Sequence, residues 1–170
     1  MGIYQLYFLK MHSKLLFLSR NAGTKDPAFL SRVLADTLAA AKEAMRRGFD
    51  EFILVGVSGG RLDHTLVNVY LLVMLRERGK RALLVDDYSE MELVGAEPVE
   101  IPERFPFYSL VNITGTARGI TETGCKFPLD NGEIHCGYQY GTSNEVLPGQ
   151  IAVVSVKEGL LLLIKDFPET

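Results

Sequence analysis

Apolar positions recur along this chain with two different periods, and the change from one to the other falls at Asp86-Asp87. Ahead of it, Phe29, Leu30, Val33, Leu34, Leu38, Ala41 and Met45 fall at helical spacing. Asp26 stands at the N-cap of that helix and Pro27 at its first position, where a missing N–H costs nothing. Gly48 stops it. Phe52–Val57 then reads as a strand, His64–Arg78 as a second helix and Ala82–Val85 as another strand. Such a β-α-β unit calls for parallel strands and a right-handed crossover. The second helix is expected to turn Leu66, Val69, Tyr70, Val73 and Met74 toward the sheet. Upstream, Ile3–Leu9 and Leu15–Leu18 are apolar runs separated by Lys10 and Lys14, and they read as strand material.

After Asp87 the helical period is gone, and short strands separated by turn residues run to the end, which predicts an all-β second unit. Asp130-Asn131-Gly132 predicts a hairpin turn between Cys125–Leu129 and Glu133–Tyr140, because Asn and Gly tolerate positive φ. Lys157-Glu158-Gly159 predicts a second hairpin, between Ile151–Val156 and Leu160–Lys165. Antiparallel strands of this length suit a small sandwich or barrel. The expected division is therefore an α/β unit over residues 1–88 and an all-β unit over 89–170. No Gly/Ser/Pro-rich linker separates them.

Composition changes this picture little. The chain has 170 residues, 47% hydrophobic and 23% charged, enough for one sizeable core or two small ones. A net charge of −3 offers no electrostatic footing for nucleic acid or a membrane surface. The two cysteines, Cys125 and Cys136, are too few for a disulfide framework and lack a zinc spacing. No apolar run approaches the roughly 18 residues of a membrane span, and no cleavage site follows the apolar start. A cytoplasmic protein with reduced thiols is expected.

Candidate chemistry concentrates in Ser58-Gly59-Gly60-Arg61-Leu62-Asp63-His64-Thr65, a strand-to-helix turn. Adjacent glycines let a backbone approach a ligand closely, and the helix that follows offers free N–H groups and the positive end of its dipole. Arg61 supplies a bidentate cation, and Asp63 a hard oxygen suited to magnesium. Each has an ordinary alternative: Asp63 as a helix cap, Arg61 as a surface cation, His64 as a residue closing the helix start. Asp36 on the first helix reads as an exposed acid. Ser143 and Asn144 read as a polar turn after a strand.

Gly59-Gly60-Arg61-Leu62-Asp63-His64-Thr65-Leu66 with Asn68 resembles the nucleotide-site motif of thiamine pyrophosphokinases. Gly141-Thr142-Ser143-Asn144-Glu145 resembles a second motif of that family, and Lys126-Phe127-Pro128-Leu129 resembles the one between them. The resemblance covers about Ala35 to Ile164, and residues 1–34 do not match. It implies a Rossmann-like but incomplete first unit that binds ATP and a second unit that binds thiamine. Pyrophosphate would pass from Mg-ATP to thiamine's hydroxyl, releasing AMP. Gly59, Gly60, Arg61 and His64 would bind ATP, and Asp63 and Asp36 would hold magnesium. Asp63, Asp36 and Arg61 would be the catalytic set; Ser143, Asn144 and, more weakly, Thr142 would recognise the aminopyrimidine of thiamine. A homodimer with thiamine at the subunit interface is also implied. The family's Gly-Gly-Ala-Asp and Gly-Asp-x-Asp-Ser runs are not in this sequence. A non-catalytic or truncated nucleotide- or thiamine-binding relative is therefore the alternative.

Overall fold

The computed structural model describes residues 6–10, 14–19, 27–58 and 62–168. The chain divides into two units, Met1–Asp87 and Tyr88–Thr170. In the first, β1 (Leu6–Lys10) and β2 (Lys14–Ser19) pair antiparallel, followed by α1 (Pro27–Arg46), β3 (Glu51–Val55), α2 (Leu62–Glu77) and β4 (Arg81–Val85). β2 pairs parallel with β3, and β3 parallel with β4. The strand–helix–strand segment expected around α2 is thus present, with parallel strands. Helix α1 begins at Pro27, while its expected cap, Asp26, lies outside the described residues. Gly48, at φ 82°, closes the helix: its N–H donates to Met45 O at 2.9 Å and that of Phe49 to Ala44 O at 3.1 Å.

Helix faces depart from expectation. On α1, Thr37, Ala41 and Ala44 are buried while Leu38 is exposed; Phe29, Leu30, Val33 and Leu34 have side chains outside the described residues. On α2 only Val69 of the five residues expected to face inward is buried; Leu66 and Tyr70 are exposed, and Val73 and Met74 are half-buried. His64, Asn68, Leu71, Leu72 and Leu75 complete the buried face. The reason is that apolar residues surround this helix almost completely from Leu62 to Leu75, so periodicity selects no face. Packing selects it instead, and admits two polar side chains. Among the described residues no helix is long and apolar enough to cross a membrane.

The second unit is built from β5 (Ser89–Val94), β6 (Val99–Pro102), β7 (Phe107–Val111), β8 (Thr116–Thr123), β9 (Leu129–His135), β10 (Asn144–Glu145), β11 (Ile151–Glu158) and β12 (Leu161–Asp166). β5, β12, β7 and β10 are neighbours in one sheet, and β6, β11, β8 and β9 in the other, all antiparallel. Their inward residues share one core, with Val94, Tyr108, Leu110, Leu161 and Leu163 from the first sheet and Ile101, Ala117, Ile120, Ile134, Val154 and Val156 from the second. This is a sandwich. Each fully buried aliphatic side chain contributes about 1.5–3 kcal/mol.

Both expected hairpins are corrected. Asp130-Asn131-Gly132 lies within β9, not at a turn. Asn131 does take φ 55°, but at a bulge: Ile120 faces Gly132 and Glu122 faces Leu129, so β9 carries one residue more than β8 over the same stretch. Left-handed propensity marks a bulge as readily as a turn. The β8–β9 reversal uses Gly124–Pro128 instead. The strands flanking Lys157-Glu158-Gly159 also exist, but they do not pair: β11 bonds to β6 and β8, and β12 to β5 and β7. The connection is an arch between sheets. At its apex Gly159 has φ 84°, and a Cβ there would come within 2.5 Å of Thr116 O.

Candidate functional site

At the carboxyl end of β3 the chain leaves the sheet through Gly56, Val57 and Ser58 and re-enters regular structure at Leu62. Gly59, Gly60 and Arg61 lie outside the described residues. The flanks of the turn are pinned. Ser58 Oγ donates to Asp86 Oδ2 at 3.0 Å, joining the ends of two parallel strands. Asn68, buried on α2, donates from Nδ2 to Val57 O at 2.6 Å. A buried amide therefore ties the chain just beyond β3 to helix α2.

Asp63 is exposed on the first turn of α2, and its Oδ1 accepts from the His64 N–H at 3.1 Å. The His64 ring points the other way: the residue is 5% exposed, and Nδ1 has no hydrogen-bond partner. Asp36 belongs to α1 by its backbone, and its side chain lies outside the described residues. Among the described residues no group of three His, Cys, Asp or Glu side chains is placed to hold a metal.

In the second unit, Gly141 to Asn144 crosses the end of β7. Gly141 O accepts from Leu110 N at 2.7 Å, and a Cβ on Gly141 would meet Leu110 O at 2.8 Å, so the two backbones touch only because the residue is glycine. Ser143 takes φ 58°, with its N–H donating to Ser109 Oγ at 3.0 Å. Thr142 and Ser143 are exposed; Asn144 is buried.

The amide of Asn144 is fully occupied within the protein. Oδ1 accepts from Phe127 N at 3.1 Å and Glu145 N at 2.9 Å, while Nδ2 donates to Phe127 O at 2.9 Å and Glu122 Oε2 at 3.1 Å. These partners fix its orientation, since a peptide N–H can only donate and a carboxylate oxygen accepts. Glu122 also accepts from the Tyr108 hydroxyl at 2.7 Å, and both residues are buried. Burial pushes the Glu122 carboxyl up from its ordinary value, against the opposing effect of its bonds to Tyr108 and Asn144. Tyr108 is raised as well, first by burial, then by a bond to the Cys125 thiol and the charge of Glu122.

Glu122, Tyr108 and the Ser58–Asp86 bond are additions to the residues singled out from sequence. One signal was available for Glu122: it stands two residues after Ile120, in the inward phase of β8, where a charged side chain needs a partner. Nothing in the sequence pairs Ser58 with Asp86.

Residues 98–161 match the family model described as "Thiamin pyrophosphokinase, vitamin B1 binding domain". A curated relative, thiamine pyrophosphokinase of Bacillus subtilis (strain 168), is 27% identical over 125 residues, covering 72% of this chain and 58% of its own length. The chain therefore spans less than two thirds of that relative. The crystal structure of thiamine pyrophosphokinase from Bacillus subtilis is similar with a TM-score of 0.72 at 25% identity, over 79% of this chain and 63% of that one. Thiamin pyrophosphokinase from Geobacillus thermodenitrificans gives 0.67 at 28% identity, over 78% and 61%. Two motifs in order, a matching second unit and a shared fold agree in making this chain similar to thiamine pyrophosphokinases.

Proposed function

We propose that this chain transfers pyrophosphate from Mg-ATP to the primary hydroxyl of thiamine, giving thiamine diphosphate and AMP. The observation that carries the reading is the match of residues 98–161, within the second unit, to a vitamin B1 binding domain. A strand–turn–helix of phosphate-binding character at Ser58–Asp63 supports it.

ATP would lie along the Gly59–Asp63 turn of a Rossmann-like unit, with Arg61 on the phosphates and His64 closing the helix start behind it. Asp63, with Asp36, would hold magnesium, which when bound neutralises the phosphate oxygens. Thr142 and Ser143 would form the thiamine side of the site, with the buried Asn144 holding the strand beneath them, and two copies would assemble with thiamine at their interface. Positioning and charge neutralisation supply most of the acceleration in phosphoryl transfer, so no covalent intermediate on the protein is needed.

The test is to incubate the purified chain with thiamine, magnesium and ATP and to quantify AMP and thiamine diphosphate. Product is expected, and Asp63→Asn is expected to lower its rate by at least about a hundredfold, the scale of losing an electrostatic group in the transition state. A folded chain that binds thiamine and forms neither product would instead be the non-catalytic relative.

A further inference from the structure

Asp86 directly follows β4, the parallel neighbour of the strand that feeds the glycine turn. Val55 stands beside Val85 in the ladder, so both strands end together, on the same side of the sheet. Ser58 Oγ donates to Asp86 Oδ2 at 3.0 Å, and Val57 O accepts from the buried Asn68 of α2 at 2.6 Å. The Asp86 carboxylate is therefore held beside the last described residue before Gly59, and it is half-buried there. Nothing in the transfer of pyrophosphate itself uses it. In open α/β sheets ligands bind outside the carboxyl ends of the strands, and an acid that ends the strand after a phosphate-binding turn is placed to meet a sugar hydroxyl.

The chemistry of ATP narrows which part of it this group can meet. An ionised carboxylate only accepts hydrogen bonds and phosphate oxygens are anionic acceptors too, so Asp86 and the phosphates repel each other. The donors that ATP offers are its ribose hydroxyls and the adenine amino group. With the phosphates on the turn, the ribose is the nearer of the two. A carboxylate has about four acceptor positions, and Ser58 takes one of them. We infer that Asp86 accepts hydrogen bonds from the ribose hydroxyls of the nucleotide and makes the site select ribonucleotides over deoxyribonucleotides. This rests on the ATP reading above.

The test is equilibrium titration of the full chain, with magnesium present, against ATP, 2′-deoxy-ATP and 3′-deoxy-ATP. The unaltered chain is expected to bind ATP more tightly than at least one deoxy analogue by roughly tenfold or more, the scale of one hydrogen bond to a charged acceptor. Asp86→Ala is expected to weaken ATP and to abolish that preference. Each affinity ratio is taken on a single preparation, so any loss of folded chain cancels from it. Ser58→Ala removes the anchor and keeps the carboxylate, and it is expected to keep the ratio; a preference lost there as fully as in Asp86→Ala would trace selectivity to the turn and overturn the inference. Equal binding of ATP and both analogues by the unaltered chain would overturn it too. So would an Asp86→Ala variant that binds all of them more weakly with the ratio unmoved, the result expected of a group that only anchors the turn or holds magnesium. A folded, unaltered chain that binds none of these nucleotides would remove the ATP reading and this inference together, whereas ATP binding without a preference for ribose removes only the inference.

Discussion

Glu122 places an ionisable group inside the sandwich, and its titration should be visible in stability. Its folded pKa lies above the ordinary 4.5. As pH climbs past 4.5 the unfolded chain releases this proton before the folded one does, so Glu122's contribution to stability is full below 4.5 and declines toward the raised folded value. Glu122→Gln keeps an acceptor for Tyr108 and Asn144 and removes the titration. Thermal melts across this interval should therefore show a flatter pH profile for the glutamine variant, and an unchanged profile would exclude Glu122 as the titrating group. At this scale Asp63 and Ser143 stand out in the sequence because the motifs that single them out are local. Glu122 and Asn144 meet only across a separation of 22 positions in the chain, and the use of every polar atom of Asn144 inside the fold follows from that encounter.

Elements were easier to find than their partners. α1, β3, α2 and β4 follow from period and from Pro27 and Gly48, which act within a few residues of themselves. The faces of α2 and the partners of β11 and β12 depend on distant surfaces, and neither an apolar helix nor an alternating strand names the surface it will meet. The β5–β12 pair shows what such a meeting creates. Lys165, 8% exposed at its side chain, bonds to Glu92 at 2.7 Å and Glu90 at 3.1 Å and lies 5.1 Å from the Phe105 ring centroid. Lys165→Met would leave two partly buried carboxylates without their cation. A loss of about 3 kcal/mol in urea unfolding is expected, and one below about 1 kcal/mol would show that solvent already screens the group.

For the whole molecule, the proposed dimer makes ligand binding and assembly one equilibrium. Thiamine held between two copies should raise the melting temperature more at high protein concentration than at low, with sedimentation showing a shift toward dimer; at a hundredfold excess over Kd the gain is about 2.7 kcal/mol. A shift independent of protein concentration would place thiamine within one copy. The order of strands carries another consequence. β12, last among the described strands, stands between β5 and β7 and is the strand that both of them bond to. During synthesis β5 and β7 emerge from the ribosome some fifty or more residues before that shared neighbour does. Until it arrives their edges stay open, and the sandwich can close only once translation has carried the chain through Asp166.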